Sequence, residues 1–176
     1  RAASALQFKR LDALTVGAWI RPRDVMPKSM TQQGYIVSAS NGNHAGFTLT
    51  TYYNAGLNAM VVTDKGVFSA PAFKVLKKDQ WQHVAFSWDG KYLRLYVNGQ
   101  PVGKPVVTQG KLKPFARPLT IGKAADRDGL YYNGQIGPVK IFNASLDKTD
   151  LPANHDAILT PASNTDPSGI ILPKPR

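Results

Sequence analysis

The stretch WQHVAFSWDGKYLRLYVNG, residues 81 to 99, constrains this chain more than any other. Val84, Phe86 and Trp88 alternate with His83, Ala85 and Ser87, and after a break Leu93, Leu95 and Val97 alternate with Tyr92, Arg94 and Tyr96. Period two on both sides of a break is the signature of two strands with one apolar face. Asp89-Gly90 supplies the positive φ of a tight hairpin loop, and Asn98-Gly99 does the same before Gln100-Pro101-Val102 opens a third strand. The stretch predicts an antiparallel meander that needs a second layer to cover it.

The rest of the chain follows the same rule. Strands are predicted at 6–9, 14–21, 34–40, 46–52, 56–63, 66–69, 82–88, 93–98, 100–103, 119–122, 131–135 and 138–142, separated by Gly, Asn, Asp or Pro clusters. That spacing belongs to all-β sandwiches, and no convincing helix interrupts it. AFKVLKKD, from Ala72, is compatible with a strand or one short turn, and SLDKTDL, from Ser145, suits a single helical turn. After Leu151 the sequence turns Pro-rich and aperiodic, so the expected organisation is one domain over 1–151 and an extended tail over 152–176.

Composition narrows the chemistry. A domain of 176 residues buries roughly 70 % of its unfolded surface without staples, so the lack of cysteine costs nothing structurally. It also excludes thiolate metal sites and Cys nucleophiles. No apolar run approaches the roughly 20 residues of a membrane span. A chain that starts at Arg1 with no signal segment reads as a mature, trimmed or excised piece. Its 22 Lys and Arg face 11 acidic residues, all of them Asp, for a net charge of +11 and a pI of about 10.0. Such a field attracts polyanions. The basic residues are scattered singly and in pairs, without the basic run or aromatic-basic signature of a nucleic-acid binder, and the same charges also keep strand edges from pairing.

LTVGAWIRP (14 to 22), WQHVAFSWDGKYLRLYVNG (81 to 99) and LTIGKAADRDGLYYNGQIGPVKIFNASL (119 to 146), in that order, resemble the laminin G-like group of the concanavalin A-like lectin and glucanase superfamily. The resemblance covers about residues 5 to 151. It implies a jelly-roll sandwich of two curved antiparallel sheets, in agreement with the meander. Two departures accompany it. Only ALQFKRLDA precedes Leu14 in the matched region, so the first edge is abbreviated or supplied elsewhere, and Gly137-Pro138 stands where the family commonly has Gly-x-Ile followed by Asp.

The superfamily's glucanases use paired carboxylates, usually Glu, set about 5 Å apart as nucleophile and general acid. A chain with no Glu lacks that pair. Asp126 and Asp128 are the one acidic i, i+2 pair, in a loop suited to turn formation or calcium ligation, and His44, His83 and His155 fit no catalytic constellation. The expectation is a non-enzyme without cofactor. A structural calcium on Asp126, Asp128 and neighbouring carbonyls is the single metal the sequence could supply, weakened by the missing closing Asp.

Binding chemistry collects in two loop regions. SNGNHAG and TYYNAG carry Asn41, Asn43, His44, Tyr53 and Asn54, and DRDGLYYNG carries Asp126, Arg127, Asp128, Tyr131 and Asn133. Amides and carboxylates take paired bonds from sugar hydroxyls, and aromatic faces stack on sugar rings; the same residues also serve as turn formers and core tyrosines. The expected core is Trp19, Ile36, Phe47, Leu49, Val84, Phe86, Leu95, Val97, Ile121, Ile136, Val139 and Ile141, with Trp81 and Trp88. Two readings follow. One is a glycan-binding module of an extracytoplasmic (extracellular or periplasmic) protein, recognising an anionic or neutral glycan through the rim loops with help from the basic surface. The other is an accessory subunit docking on an acidic protein partner through its basic surface and tail, with Ile170, Ile171 and Leu172 as the apolar anchor.

Overall fold

The computed structural model describes residues 11–25, 33–115 and 118–151. The expected strand over 6–9 and the tail with Ile170, Ile171 and Leu172 lie outside these residues. Ten strands form two five-stranded antiparallel sheets: β1 (Leu14–Pro22), β2 (Gly34–Ser40), β3 (Gly46–Tyr52), β4 (Gly56–Thr63), β5 (Gly66–Ala72), β6 (Gln82–Trp88), β7 (Tyr92–Val97), β8 (Gln100–Val107), β9 (Thr120–Ile121) and β10 (Gly134–Phe142). One sheet runs β10-β1-β6-β7-β8 and the other β5-β4-β3-β2-β9. No described residue is helical.

The meander forms in the expected register, with Val84 opposite Val97, Phe86 opposite Leu95 and Trp88 opposite Leu93. Val84, Phe86, Trp88, Leu93 and Leu95 are buried together with Leu14, Val16 and Ile20 of β1 and with Phe47, Leu49, Leu57 and Val61 of the facing sheet. Phe86 meets Phe47 edge-on across the sandwich, with ring centroids 5.9 Å apart. The buried indole of Trp88 donates from Nε1 to Thr108 Oγ1 at 2.9 Å, so its polar end is satisfied. The first hairpin is centred one residue later than expected. Asp89 N donates to Tyr92 O, leaving Gly90-Lys91 as the loop, with Gly90 at φ 85° in its first position.

Several expectations are corrected by the edges. β5 and β8 run past their predicted ends to Ala72 and Val107, through Pro71, Pro101 and Pro105. Both are outermost strands, where proline's missing N–H faces away from the ladder. The two short strands predicted at 131–135 and 138–142 are one strand, β10, bent by a bulge. Ala18 pairs with Val139 and Ile20 with Ile136, so Gly137-Pro138 together oppose Trp19. A Cβ on Gly137 would sit 3.1 Å from Trp19 Cβ, which explains the glycine there.

Ile121, expected in the core, is 51 % exposed, because β9 is a two-residue edge with nothing beyond it. Val97, Ile136 and Val139 are half-buried against the core rather than inside it. Trp19 is buried, but on the outer face of its sheet, where it packs edge-on against His83 at 5.4 Å; Trp81 is half-buried. AFKVLKKD adds its first residue to β5 and then leaves the sheet with Lys74 at φ 58°. SLDKTDL makes one Asp147–Asp150 turn instead of a helix. It lays Leu146 and Leu151 over Ala85 and Tyr96, held by Thr15 Oγ1 donating to Ala144 O at 2.7 Å and by a Ser87–Ser145 hydroxyl pair at 2.6 Å.

Candidate functional site

The sandwich has two ends, and it divides the predicted binding residues between them. At one end the β2–β3 loop, 41–45, presents Asn41, Asn43 and His44 to solvent. The loop is fixed from beneath. Ser40 Oγ bonds the carbonyls of Gly42 and Ala45 at 2.7 and 2.9 Å, and Gly46 N donates to Lys113 O. Gly46 sits at φ 85° with Ala39 O where a Cβ would fall, so no other residue fits.

The 122–132 loop runs back along the edge of β2 to meet it. Gly122 N donates to Ile36 O, Tyr132 N to Gly122 O, and Ala125 N to the buried Ser38 Oγ at 3.2 Å. This places Asp126 and Arg127 against Gly42, whose absent Cβ would lie 3.4 Å from Asp126 Oδ2 and 3.3 Å from Arg127 Nη2. Arg127 donates from Nε and Nη2 to the single oxygen Asp126 Oδ2, at 3.2 and 2.8 Å. That hydrogen bond and the charge of Asp126 raise the guanidinium's pKa further. Thr120, Lys123, Ala124, Ala125, Asp126, Arg127 and Asp128 line an open depression of ≈240 Å³. Sequence reasoning missed Thr120 and Lys123. Their place follows from the Thr120 hydroxyl, which bonds the carbonyls of Ser38 and Lys123.

Of the adjacent tyrosines, Tyr131 is 60 % exposed and Tyr132 packs inward. Burial raises the Tyr132 phenol well above its ordinary pKa, and its hydroxyl has no partner. Burial likewise raises Tyr35, with Arg127 pulling the other way and Asp126 adding to the rise. The remaining predicted residues go to the opposite end. Tyr53 and Asn54 lie in the β3–β4 turn, and Asn133 accepts a bond from Arg23 N beside the start of β10. The seven residues of β3 separate the two groups by roughly 20 Å.

Calcium wants six to eight oxygens, and the rim does not fit it. Asp126 already faces a guanidinium, and the described residues hold no group of three or more His, Cys, Asp or Glu. The rim can instead offer amide, guanidinium and ammonium donors beside carboxylate acceptors, which is the chemistry of hydroxyl recognition. No helix among the described residues is long and apolar enough to cross a membrane.

The profile of a family described as the concanavalin A-like lectin/glucanases superfamily matches residues 2–151. No curated protein matches the chain. Among solved structures it is similar to the native heptameric SAP-like pentraxin from Limulus polyphemus, at 22 % identity and a TM-score of 0.55 over 81 % of this chain and 70 % of that one. A Ruminococcus gnavus IT-sialidase CBM40 bound to alpha2,3 sialyllactose aligns with a TM-score of 0.61 and 13 % identity over 80 % of this chain and 81 % of that one. Mouse laminin alpha1 domains LG4-5 align with a TM-score of 0.62 and 14 % identity, over 85 % of this chain and 40 % of that one. Likeness at these identities speaks for the fold.

Proposed function

We propose, for a chain that belongs to the concanavalin A-like lectin/glucanases superfamily, that it is the non-catalytic glycan-binding module of an extracytoplasmic protein. The sugar sits on the rim of Asn41, Asn43, His44, Asp126, Arg127 and Asp128. The observation that carries this reading is an open depression lined by residues of the 120–128 segment, with donors and acceptors interleaved, whose Asp126 and Arg127 abut Gly42 of the β2–β3 loop. Sugar hydroxyls donate and accept at once, and such a mixed surface pairs with both. Tyr131, exposed on the same loop, supplies an aromatic face to a longer ligand. The similar R. gnavus module, bound to sialyllactose, lends the fold a glycan precedent.

A catalytic role lacks its parts. A retaining or inverting pair needs one carboxyl free to protonate and another opposite it, whereas Asp126 is occupied by Arg127 and the chain has no Glu. A glycan array run at low and high salt tests the proposal with wild type and with Asn43→Ala and Arg127→Ala. Selective binding that survives high salt and weakens about ten-fold in the variants is expected. Binding that vanishes uniformly with salt and ignores both substitutions would leave only the field of a +11 protein.

A further inference from the structure

The opposite end of the sandwich carries a different set of groups. Arg21, near the end of β1, and Arg23, just past it, point the same way by the two-residue period of an extended chain. With Asp79 and Gln135 they line a depression of ≈230 Å³. Arg21 is held there, with Nε donating to Asp79 O at 3.0 Å, and Asp79 N donates to Pro22 O at 2.8 Å. That bond uses a carbonyl, not a carboxylate. The ion pairs among the described residues are Arg94–Asp89, Lys111–Asp12 and Arg127–Asp126, so neither guanidinium has a described carboxylate within 4.0 Å. Two guanidinium groups share one depression with Asp79 and the Gln135 amide, and among the described residues neither is ion-paired.

The same end of the sandwich carries three aromatic rings. Tyr52, Tyr53 and Phe73 pack with centroids 4.9, 5.2 and 6.0 Å apart, and Phe73 is 42 % exposed. The loops bearing them are tied to the end of β1. Ala55 N donates to Val25 O at 2.6 Å, Lys74 N to Asn54 O, and Val75 N and Leu76 N to Ala55 O. Five residues at this end hold positive φ without being glycine: Asn54, Ala55, Lys74, Asp79 and Asn98, at 57°, 51°, 58°, 55° and 49°. Such conformations persist where surrounding bonds enforce them, and they cluster at binding sites.

We propose that this end is a second ligand site, one that takes an acidic sugar. A carboxylate or sulfate lies between Arg21 and Arg23, whose planar forks suit bidentate recognition of such groups. Gln135 bonds a neighbouring hydroxyl, and the next ring of the chain stacks on the Tyr53–Phe73 face. The identity of the ligand as a sugar rests on the glycan-binding reading above; the anion site does not.

The test is calorimetric titration of the full chain with a hexuronate oligosaccharide, a sulfated oligosaccharide, a neutral oligosaccharide of equal length and a poly-glutamate peptide. The variants are R21Q/R23Q, R21K/R23K, F73A and a charge-matched control, K104Q/K148Q, drawn from exposed lysines elsewhere. Expected is at least ten-fold preference for one acidic oligosaccharide over the neutral one, the choice between carboxylate and sulfate coming from the two acidic arms. R21Q/R23Q abolishes the preference, R21K/R23K retains part of it, F73A weakens the oligosaccharide several-fold, and the control matches wild type. Because all five substituted residues are exposed, unchanged melting temperatures verify folding. Equal binding by R21Q/R23Q and wild type, equal loss in the control, or poly-glutamate binding as tightly as the sugars would each overturn the proposal. Arg127→Ala separates the two sites. Acidic-sugar binding lost with Arg127→Ala and kept in R21Q/R23Q sustains the rim and overturns this inference, while the reverse sustains this one alone.

Discussion

Two aspartate–arginine pairs anchor loops of this sandwich, and they use the same chemistry in opposite ways. Asp89, in the meander, is saturated. Its Oδ1 accepts from Lys91 N and Tyr92 N at 2.8 and 2.6 Å, its Oδ2 accepts from Arg94 Nη1 at 2.7 Å, and Arg94 lies over the Tyr92 ring at 4.8 Å. Asp126, on the rim, receives its neighbour Arg127 on one oxygen only, and the pair borders an open depression. The first pair staples its own turn. The second leaves an oxygen and half a guanidinium for something else. Whether a polar loop residue is scaffold or site is decided by how much of its bonding its own turn consumes.

The widest gap between the regions is in stability. Phe86, fully buried in the meander, should cost about 3 to 5 kcal/mol when replaced by Ala, while single substitutions of Asn41, Asn43 or Arg127 stay within about 0.5 kcal/mol of wild type. Urea unfolding measures both. A Phe86→Ala cost below about 1 kcal/mol would mean the meander is not the core of the fold.

The meander should also answer to acid. His83, buried against Trp19 with its Nδ1 unpartnered, has its pKa lowered to about 4 by burial first and by Lys140 second. An unfolded histidine titrates near 6.5, so between about 6.5 and 4 the unfolded chain binds the extra proton. Stability is therefore whole above about pH 6.5 and falls on acidification through that window, by roughly 3 kcal/mol in all. Melts at pH 7, 5.5 and 4.5 measure the slope, and His83→Gln should flatten it. A slope that persists in His83→Gln would place the titrating group elsewhere.

Asp89 gives a smaller effect. Burial acts to raise its pKa, but the Arg94 bond and the backbone donors of Tyr92 and Lys91 outweigh it, leaving the carboxyl below its ordinary value. Its contribution is present above the unfolded carboxylate's pKa and is lost as pH falls toward the folded one, below about pH 4. Asp89→Asn should cost about 1 kcal/mol at pH 7, the scale of a hydrogen-bonded turn. Equal melting temperatures for Asp89→Asn and wild type at pH 7 would remove the distinction between the two pairs.

The same distinction explains what could be read from the sequence. The meander was legible because alternation fixes which side chains face inward, and Phe86 and Trp88 lie where it puts them. Ile121 was misplaced because alternation says nothing about whether a strand has a neighbour beyond it, and Trp19 because a buried position need not face the sandwich. The rim was half legible. Asn41, Asn43 and Asp126–Asp128 announce loops, but their meeting depends on β9 pairing with β2, a contact across some eighty residues that leaves no local trace. Tyr53 and Asn54 belong to the same sequence neighbourhood as Asn41, yet one strand carries them to the other end. Arg21 and Arg23 read as scattered charge, since only the bend of β10 and the Asp79 turn make a depression of them.

The smallest change in stability should come from Asp126→Asn, and it is the sharpest probe of the comparison. Among the described residues the Asp126 carboxylate is bonded through Arg127, an adjacent exposed side chain, and surface pairs of that kind contribute about 0 to 1 kcal/mol. The melting temperature should barely move. Recognition should move instead, because the substitution removes the charge that neutralises Arg127 while leaving its donors in place. An electrically balanced rim becomes a cationic one. Affinity for neutral glycans should fall several-fold, from the loss of a carboxylate acceptor, while binding of anionic glycans gains affinity and a steeper salt dependence. The glycan array at two salt concentrations reads this directly. If Asp126→Asn instead costs more than about 1 kcal/mol and leaves glycan selectivity unchanged, Asp126 is a turn staple like Asp89, and the rim is scaffold.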